Sequence, residues 1–278
     1  MEEGARLVLL TSGGLRPGEK VLVVVDETTR SVGHTFVEVA GDLGADPVLL
    51  EIRARTADGV EPPHPVGTAM AASDLVLLAT GRSLTHTHAR RAATRAGARV
   101  ISMPAVTLDM VRGGGLAADW SKIHDLVRRT ARRLRGAREV HLTSAAGTDL
   151  RFSVQGREWI SEDTGLCNRK GAFTTLPAGE LFIAVVEGSA EGRLVVDVYF
   201  EGEVPEPATA VIAEGHATRI VGASAAVEAM NRGGKEGRAL GRFGFGVNPL
   251  ARVTGPYLEA EKAVGSAHLG FERWYRTL

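Results

Sequence analysis

One cysteine, Cys167, is all the thiol this sequence contains. No disulfide can close within the chain and no cysteine-built zinc site can form, which fits a reducing compartment. No apolar run approaches the roughly 20 residues of a membrane span. The N-terminus, MEEGARLVLLTSGG, starts acidic and lacks the basic region of a signal peptide. The expectation is a cytoplasmic protein. Excess charge of either sign is missing too, because Lys+Arg and Asp+Glu both number 33. No global field therefore favours nucleic acid or an anionic membrane as a partner. Several catalytic signatures are absent: the P-loop, the GxSxG nucleophile elbow and HExxH. The glycines Gly113–Gly115 follow no strand and open no GxGxxG, which sets NAD aside. Cys167 has no CxxC around it and reads as an ordinary thiol.

What is present is a core. Hydrophobic residues make up 44% and charged residues 24%, the balance of a globular protein, and 278 residues suit one large domain or two ordinary ones. Val21–Asp26 is a continuous apolar run ending in an acid, as expected of a strand buried on both faces. Pro47–Ile52, Leu75–Thr80 and Val100–Met103 repeat the pattern. Helical segments fall between them at Ser31–Leu43, Pro65–Ala72 and His86–Ala96. Strands alternating with helices predict a parallel sheet with right-handed crossovers. Ala117–Arg135 reads as a long helix with Trp120, Ile123, Leu126, Val127 and Leu134 on one side. Its basic run, RRTARRLRGAR, reads as a solvated face; no aromatic residues interleave to stack on bases.

After Gly136 the pattern changes to paired short strands. Glu139–Thr143 with Leu150–Val154, Leu181–Val186 with Leu194–Phe200, and Thr209–Ala213 with Thr218–Val221 each flank a turn. A short helix follows at Ala223–Met230. The expected fold class is α/β: an N-terminal βαβ parallel-sheet domain, residues 1–136, and a C-terminal α+β domain with antiparallel strands, residues 137–278. The second is expected to carry the site, in a cleft against the first.

Open parallel sheets bind ligands beyond the carboxyl ends of their strands. Asp26–Arg30 and Thr80–His88 hold that position. In the second segment Thr85 and His86 are candidate substrate contacts, with a helix N-cap as the commoner use of such hydroxyls. The C-terminal half offers Glu180 in LPAGELF, Glu187 and Glu191 in EGSAEG, and Glu259, Glu261 and His268 in EAEKAVGSAH. Carboxylates and imidazole suit Zn²⁺, Fe²⁺, Co²⁺ or Mn²⁺. Spacing alone leaves exposed surface acids as the alternative.

SLTHTHARRAATRAGARVISMPAVT, LPAGELFIAVVEGSAEGRLVVDV and GFGVNPLARVTGPYLEAEKAVGSAHLGF together resemble one superfamily over almost the whole chain. It contains the aminopeptidase T-like metallopeptidases and the 2,5-dihydroxypyridine 5,6-dioxygenases. The resemblance implies a C-terminal metal site and a homodimer. In the peptidase branch carboxylates and histidines hold two divalent ions. In the dioxygenase branch two histidines and one aspartate hold Fe(II). Glu180 matches the peptidase ligand of the PAGE element and His268 the ligand of the late G–H element. Glu261 matches the glutamate before that histidine, with a spacing about two residues different. Two departures stand out. Arg242 falls where the family has a metal-binding glutamate or histidine, and arginine stays protonated and cannot be a ligand. The family's later His-x-Asp pair has no counterpart; the sequence runs on from the G–H element to GFERWYRTL.

The resemblance thus implies at most one divalent ion (Zn, Fe, Co or Mn) on Glu180, Glu261 and His268, or none. Three functions follow from it. The first is hydrolysis of an amide or peptide bond in a small-molecule or peptide substrate, with Glu180 or Glu261 as base and Arg242 binding a carboxylate or oxyanion. The second is a metal-free or non-catalytic member kept for binding or assembly. The third is a ring-cleaving non-haem iron dioxygenase.

Overall fold

The computed structural model describes residues 2–199 and 206–271. The chain divides into two compact units: Met1–Val127 with Glu162–Glu180 and Gly246–Gly265, and Arg128–Ser161 with Leu181–Phe245 and Ser266–Leu278. Where the sequence suggests a single boundary near Gly136, these units are discontinuous along the chain.

Thirteen strands occur among the described residues, in chain order β1 (Lys20–Val25), β2 (Asp46–Glu51), β3 (Leu75–Ala79), β4 (Arg99–Ser102), β5 (Glu139–Thr143), β6 (Asp149–Ser153), β7 (Phe173–Thr175), β8 (Glu180–Ala184), β9 (Glu191–Val196), β10 (Ala208–Ala213), β11 (His216–Val221), β12 (Leu240–Gly246) and β13 (Ala267–Phe271).

The first unit is built on a parallel sheet in the order β2-β1-β3-β4-β7. Val23 pairs with Leu49 on one side and Leu77 on the other. Val21–Val25 and Leu75–Ala79 are buried throughout, as expected of central strands with both faces covered. Helices Arg30–Asp42, His64–Ala71 and His88–Ala96 lie between the strands, each within two residues of its sequence-predicted limits. Thr87 caps the last of these, its Oγ1 accepting from Arg90 N at 3.2 Å. The long helix runs Trp120–Leu134 and buries Trp120, Ile123 and Val127. Arg129, Arg132 and Arg133 on it are exposed, while Arg128 is partly buried and bonds Ser161 Oγ at 3.3 Å. The short strand β7 is an addition that the sequence did not announce. It pairs in parallel with β4 and brings the PAGE element that follows it to the carboxyl end of the sheet.

The second unit holds two antiparallel sheets, β11-β10-β9-β6-β5 and β13-β12-β8, with β8 entered at Glu180 from the first unit. They share one core in which Leu150, Phe152, Ile183, Leu194, Ile212 and Phe243 are buried. Phe152, Trp159 and Phe245 ring Phe243 at centroid distances of 5.3–6.3 Å. Two of the three expected hairpins form, β5–β6 and β10–β11. The third does not. β8 joins β12 and β13, while β9 pairs with β6 and β10. Val186 N bonds Ser153 O and Gly215 N bonds Ala190 O, so this connection is tied to other strands and does not fold back on itself. The expected strand Leu194–Phe200 ends at Val196, and Phe200 lies outside the described residues, as does the stretch 272–278 that holds most of GFERWYRTL. Among the described residues no helix is long and apolar enough to cross a membrane.

Cys167 is buried, with its thiol 3.4 Å from Val100 O, and burial pushes its pKa up to about 12. The thiolate is the nucleophile, so iodoacetamide at pH 8 should leave the native protein unmodified and label it only once urea unfolds it. Equal labelling rates in the two states, followed by mass spectrometry, would contradict this burial.

Candidate functional site

The PAGE element begins just past β7, at the carboxyl end of the parallel sheet where ligands of such sheets bind. Its chain path is fixed by hydrogen bonds. Gly179 N donates to Asp163 O at 3.1 Å and Val247 N to Gly179 O at 2.7 Å. Gly179 has φ +109°, a left-handed conformation that glycine adopts without strain. Fully buried Asn248 secures the same loop from the other side. Its Nδ2 donates to Ala178 O and Gly115 O, both at 3.1 Å, and its backbone N donates to Lys262 O at 2.8 Å. Glu259 is spent on structure too: its Oε1 accepts from Gly115 N at 2.6 Å.

These contacts bring a lysine into a group of acids. Lys262 Nζ lies 2.8 Å from Glu180 Oε1, 2.8 Å from Glu261 Oε1 and 3.5 Å from Asp163 Oδ2. The lysine is 3% exposed. Burial disfavours its ammonium, but the three carboxylates outweigh that and hold its proton well above the usual lysine range. Asp163 moves the other way. Burial pushes its carboxyl up to about 7, Lys262 pulling down and Glu180 and Glu261 pushing up. Three acids thus surround a single cation. Space for the lysine comes from Gly246, where a Cβ would sit 2.3 Å from the Lys262 carbonyl carbon and 2.3 Å from Ala263 O.

On β13, His268 faces Gly244 of β12. Its ring fills the space over that glycine, since a Cβ there would lie 2.2 Å from His268 Nε2. The two glycines of FGFG are thus spacers with different neighbours, Gly244 for the histidine and Gly246 for the lysine loop. Glu180 and Glu261 belong to the first unit and His268 to the second, and by type each offers a ligand atom. They are the three residues matched by resemblance to metal ligands.

Of the other candidates, Arg242 shares the Gly244 face with the His268 ring and the rest stand elsewhere. Arg242 on β12 holds its guanidinium 5.7 Å from the Phe182 ring centroid. Thr85 donates to Ser102 Oγ at 2.9 Å and His86 is exposed; among the described contacts neither touches Glu180 or Glu261. Glu187 pairs with Arg157 at 2.9 Å and Glu191 accepts from Glu214 N, both on the surface. Asp163 and Lys262 escape a sequence reading. Lys262 sits inside the EK pair of the late element, but nothing in the pattern says that its ammonium is buried.

The donors can be tested against the two ligand sets of the resemblance. Two carboxylates and one imidazole suit a single divalent ion of borderline hardness, and the group has negative charge to offset one. They do not reproduce a two-histidine, one-aspartate set. The charge that a second ion would need is already partly met by the Lys262 ammonium.

A family model described as 2,5-dihydroxypyridine 5,6-dioxygenase matches residues 7–270. Two solved structures share the fold over most of their length. The 2,5-dihydroxypyridine dioxygenase of Pseudomonas putida KT2440 is 21% identical, with 95% of this chain and 82% of that one covered, at a TM-score of 0.66. Wild-type AmpT from Thermus thermophilus is 18% identical, with 97% and 84% covered, at 0.64. None of the curated proteins matches the chain.

Removing the lysine leaves a set of acids without a counter-charge. Lys262→Met should destabilise the fold by about 3–5 kcal/mol in urea titrations; a loss under about 1 kcal/mol would show that the ammonium is dispensable. Asp163 gives a pH signature. Its folded pKa is raised above the unfolded value, so its protonated form favours the fold and this contribution is lost as pH rises from about 4 through 7. The Tm of wild type, measured in EDTA, should therefore fall relative to Asp163→Asn across that window and run parallel above it. A constant difference from pH 4 to 8 would remove Asp163 from the buried charge balance.

Proposed function

The chain belongs to the 2,5-dihydroxypyridine 5,6-dioxygenase family, and from that membership we propose that it is a metal-dependent enzyme acting on a small ring compound, with one divalent ion held by Glu180, Glu261 and His268. The observation that carries the proposal is the pair of carboxylates, Glu180 and Glu261, held side by side in the first unit with Oε1 of each 2.8 Å from Lys262 Nζ. A divalent ion there would supply a Lewis-acidic centre with open positions for substrate and, in the case of Fe(II), for O₂. The protein's own groups do the rest. Glu180 and Glu261 present their carboxylates on a loop fixed by Asn248 and Gly179. Lys262 holds Oε1 of each glutamate at 2.8 Å and limits the negative charge so that one ion balances it. His268 is oriented by its seat over Gly244. Asp163 completes the ring of acids around Lys262, with Oδ2 3.5 Å from Nζ.

Family membership favours ring cleavage by O₂. A second reading, hydrolysis of an amide in a small molecule, is favoured by the donor set, because a site richer in carboxylate than imidazole suits a hydrolytic ion as well as it suits Fe(II).

The test begins with ion content after anaerobic loading with Fe(II) and, separately, with Zn²⁺, Co²⁺ and Mn²⁺. About one ion per chain is expected in wild type, with uptake reduced at least tenfold in Glu180→Gln and His268→Ala. Oxygen consumption would then be followed with 2,5-dihydroxypyridine on the Fe(II) protein, and amine release from dipeptides on the Zn²⁺ protein. Uptake in neither wild type nor variants would defeat the proposal. Amide hydrolysis without oxygen consumption would select the second reading.

A further inference from the structure

We propose that Arg242 is the specificity-determining residue of this site and selects an aromatic substrate that carries a carboxylate. The inference rests on the site reading above for the substrate's ring, and on the geometry of the β13-β12-β8 sheet for the carboxylate.

Arg242 reaches its position through a register shift. The β12–β13 pairing is regular from Phe243 to Phe245 and shifts between Leu240 and Arg242, where Gly241 is the extra residue. Such bulges re-aim the neighbouring side chain. Side chains two residues apart on a strand share a face, so Arg242 lies on the Gly244 face. That is the face the His268 ring covers, and Phe182 Cβ would be 3.0 Å from a Cβ on Gly244. A guanidinium, an imidazole and a phenyl ring thus meet on one glycine-floored surface of a single unit.

The guanidinium differs from its peers. Arg99 binds Glu19 and the carbonyls of Gly13 and Gly14. Arg90 binds Thr85 O, Arg157 binds Glu187, and Arg238 binds Asn231 and Ala217 O. Arg242 is partly buried, its Nε is buried, and among the described residues no carboxylate or carbonyl meets it. Among the described residues its partner is the Phe182 ring, 5.7 Å from the centroid, within cation–π range. A charge partly removed from water without a counter-ion is destabilising, and an anionic ligand offsets that. Phe182 holds the guanidinium's face, so the hydrogen-bonding edge is what remains. That edge is a planar fork matching the two oxygens of one carboxylate.

The probes are 3-hydroxybenzoate and 3-hydroxybenzamide, which share a ring and differ in charge. Binding of each would be measured by calorimetry to wild type, Arg242→Met and Arg242→Lys, in EDTA-treated and in ion-loaded protein. Wild type should prefer the acid by roughly tenfold to a hundredfold, the range of a hydrogen bond to a charged group. Arg242→Met should lose that preference and retain its affinity for the amide, with a Tm close to wild type. Arg242→Lys should keep part of the preference, and it carries the test should the methionine variant fail to fold. Equal binding of acid and amide by wild type, or a preference that survives in Arg242→Met, would overturn the proposal. Ion content separates this inference from the function above. An Arg242-dependent acid preference in protein that takes up no ion would uphold the arginine's role and defeat the metal-dependent reading. Normal ion uptake without acid preference would do the reverse.

Discussion

The Lys262 ammonium among Asp163, Glu180 and Glu261 is the constraint around which the candidate site is arranged. Three carboxylates brought together out of water would repel one another, and each would shift toward its protonated form. One buried cation changes that. It draws two glutamates to itself and fixes them in place, while burial pushes the third acid, Asp163, up to about 7. Around this ion pair the backbone has little freedom. Asn248 fixes the lysine's own carbonyl and the PAGE loop together. Glu259, three residues before Lys262, is itself held to Gly115 N. Gly246 has no side chain because the Lys262–Ala263 backbone occupies that space.

Much of the fold was legible because it rests on periodicity. Val21–Val25 and Leu75–Ala79 are continuous apolar runs, and such runs have one stable use in an α/β chain. What failed was short or glycine-rich. β7 is three residues, Phe173–Thr175, too short to show a period. β12 alternates glycine with phenylalanine, so its pattern gives a strand little to announce. Missing β7 hid the main topological fact, that the PAGE element follows a parallel strand and so lies where such sheets bind ligands. The expected β8–β9 hairpin failed for a related reason. A turn signal says that the chain reverses, not that the two arms pair with each other.

Residue type offered Glu180, Glu261 and His268 only among several acids, and resemblance singled them out, because an acid beside a strand has no sequence mark of its function. Lys262 and Asp163 were not visible at all. A lysine is ordinarily a surface residue, and only the three acids that converge from distant segments make this one a core residue. Conversely, a cap among the hydroxyls of Thr80–His88 was legible for a physical reason, since a hydroxyl ahead of a helix has a local role; Thr87 performs it, the helix starting at His88 and not at the expected His86. Local chemistry can be read from local sequence, whereas a charge balance assembled from residues 163, 180, 261 and 262 cannot.

Charge also bears on how many ions the scaffold can hold. In the peptidase branch that this sequence resembles, the position of Arg242 carries an acid or a histidine and two ions are bound. Exchanging an acid for arginine there changes the charge by two, which equals one divalent ion. Lys262 contributes a further fixed positive charge against Glu180 and Glu261. A cation built into the chain screens carboxylates as an ion does, but it offers neither Lewis acidity nor open coordination positions. Its fork or ammonium can still orient an anion. Under the proposal made for Arg242, the substitution would exchange one function for another: where a second ion would polarise the substrate, a guanidinium is left to recognise it. That logic predicts a member of the family with one ion and a charged substrate, rather than a two-ion peptidase with a part missing.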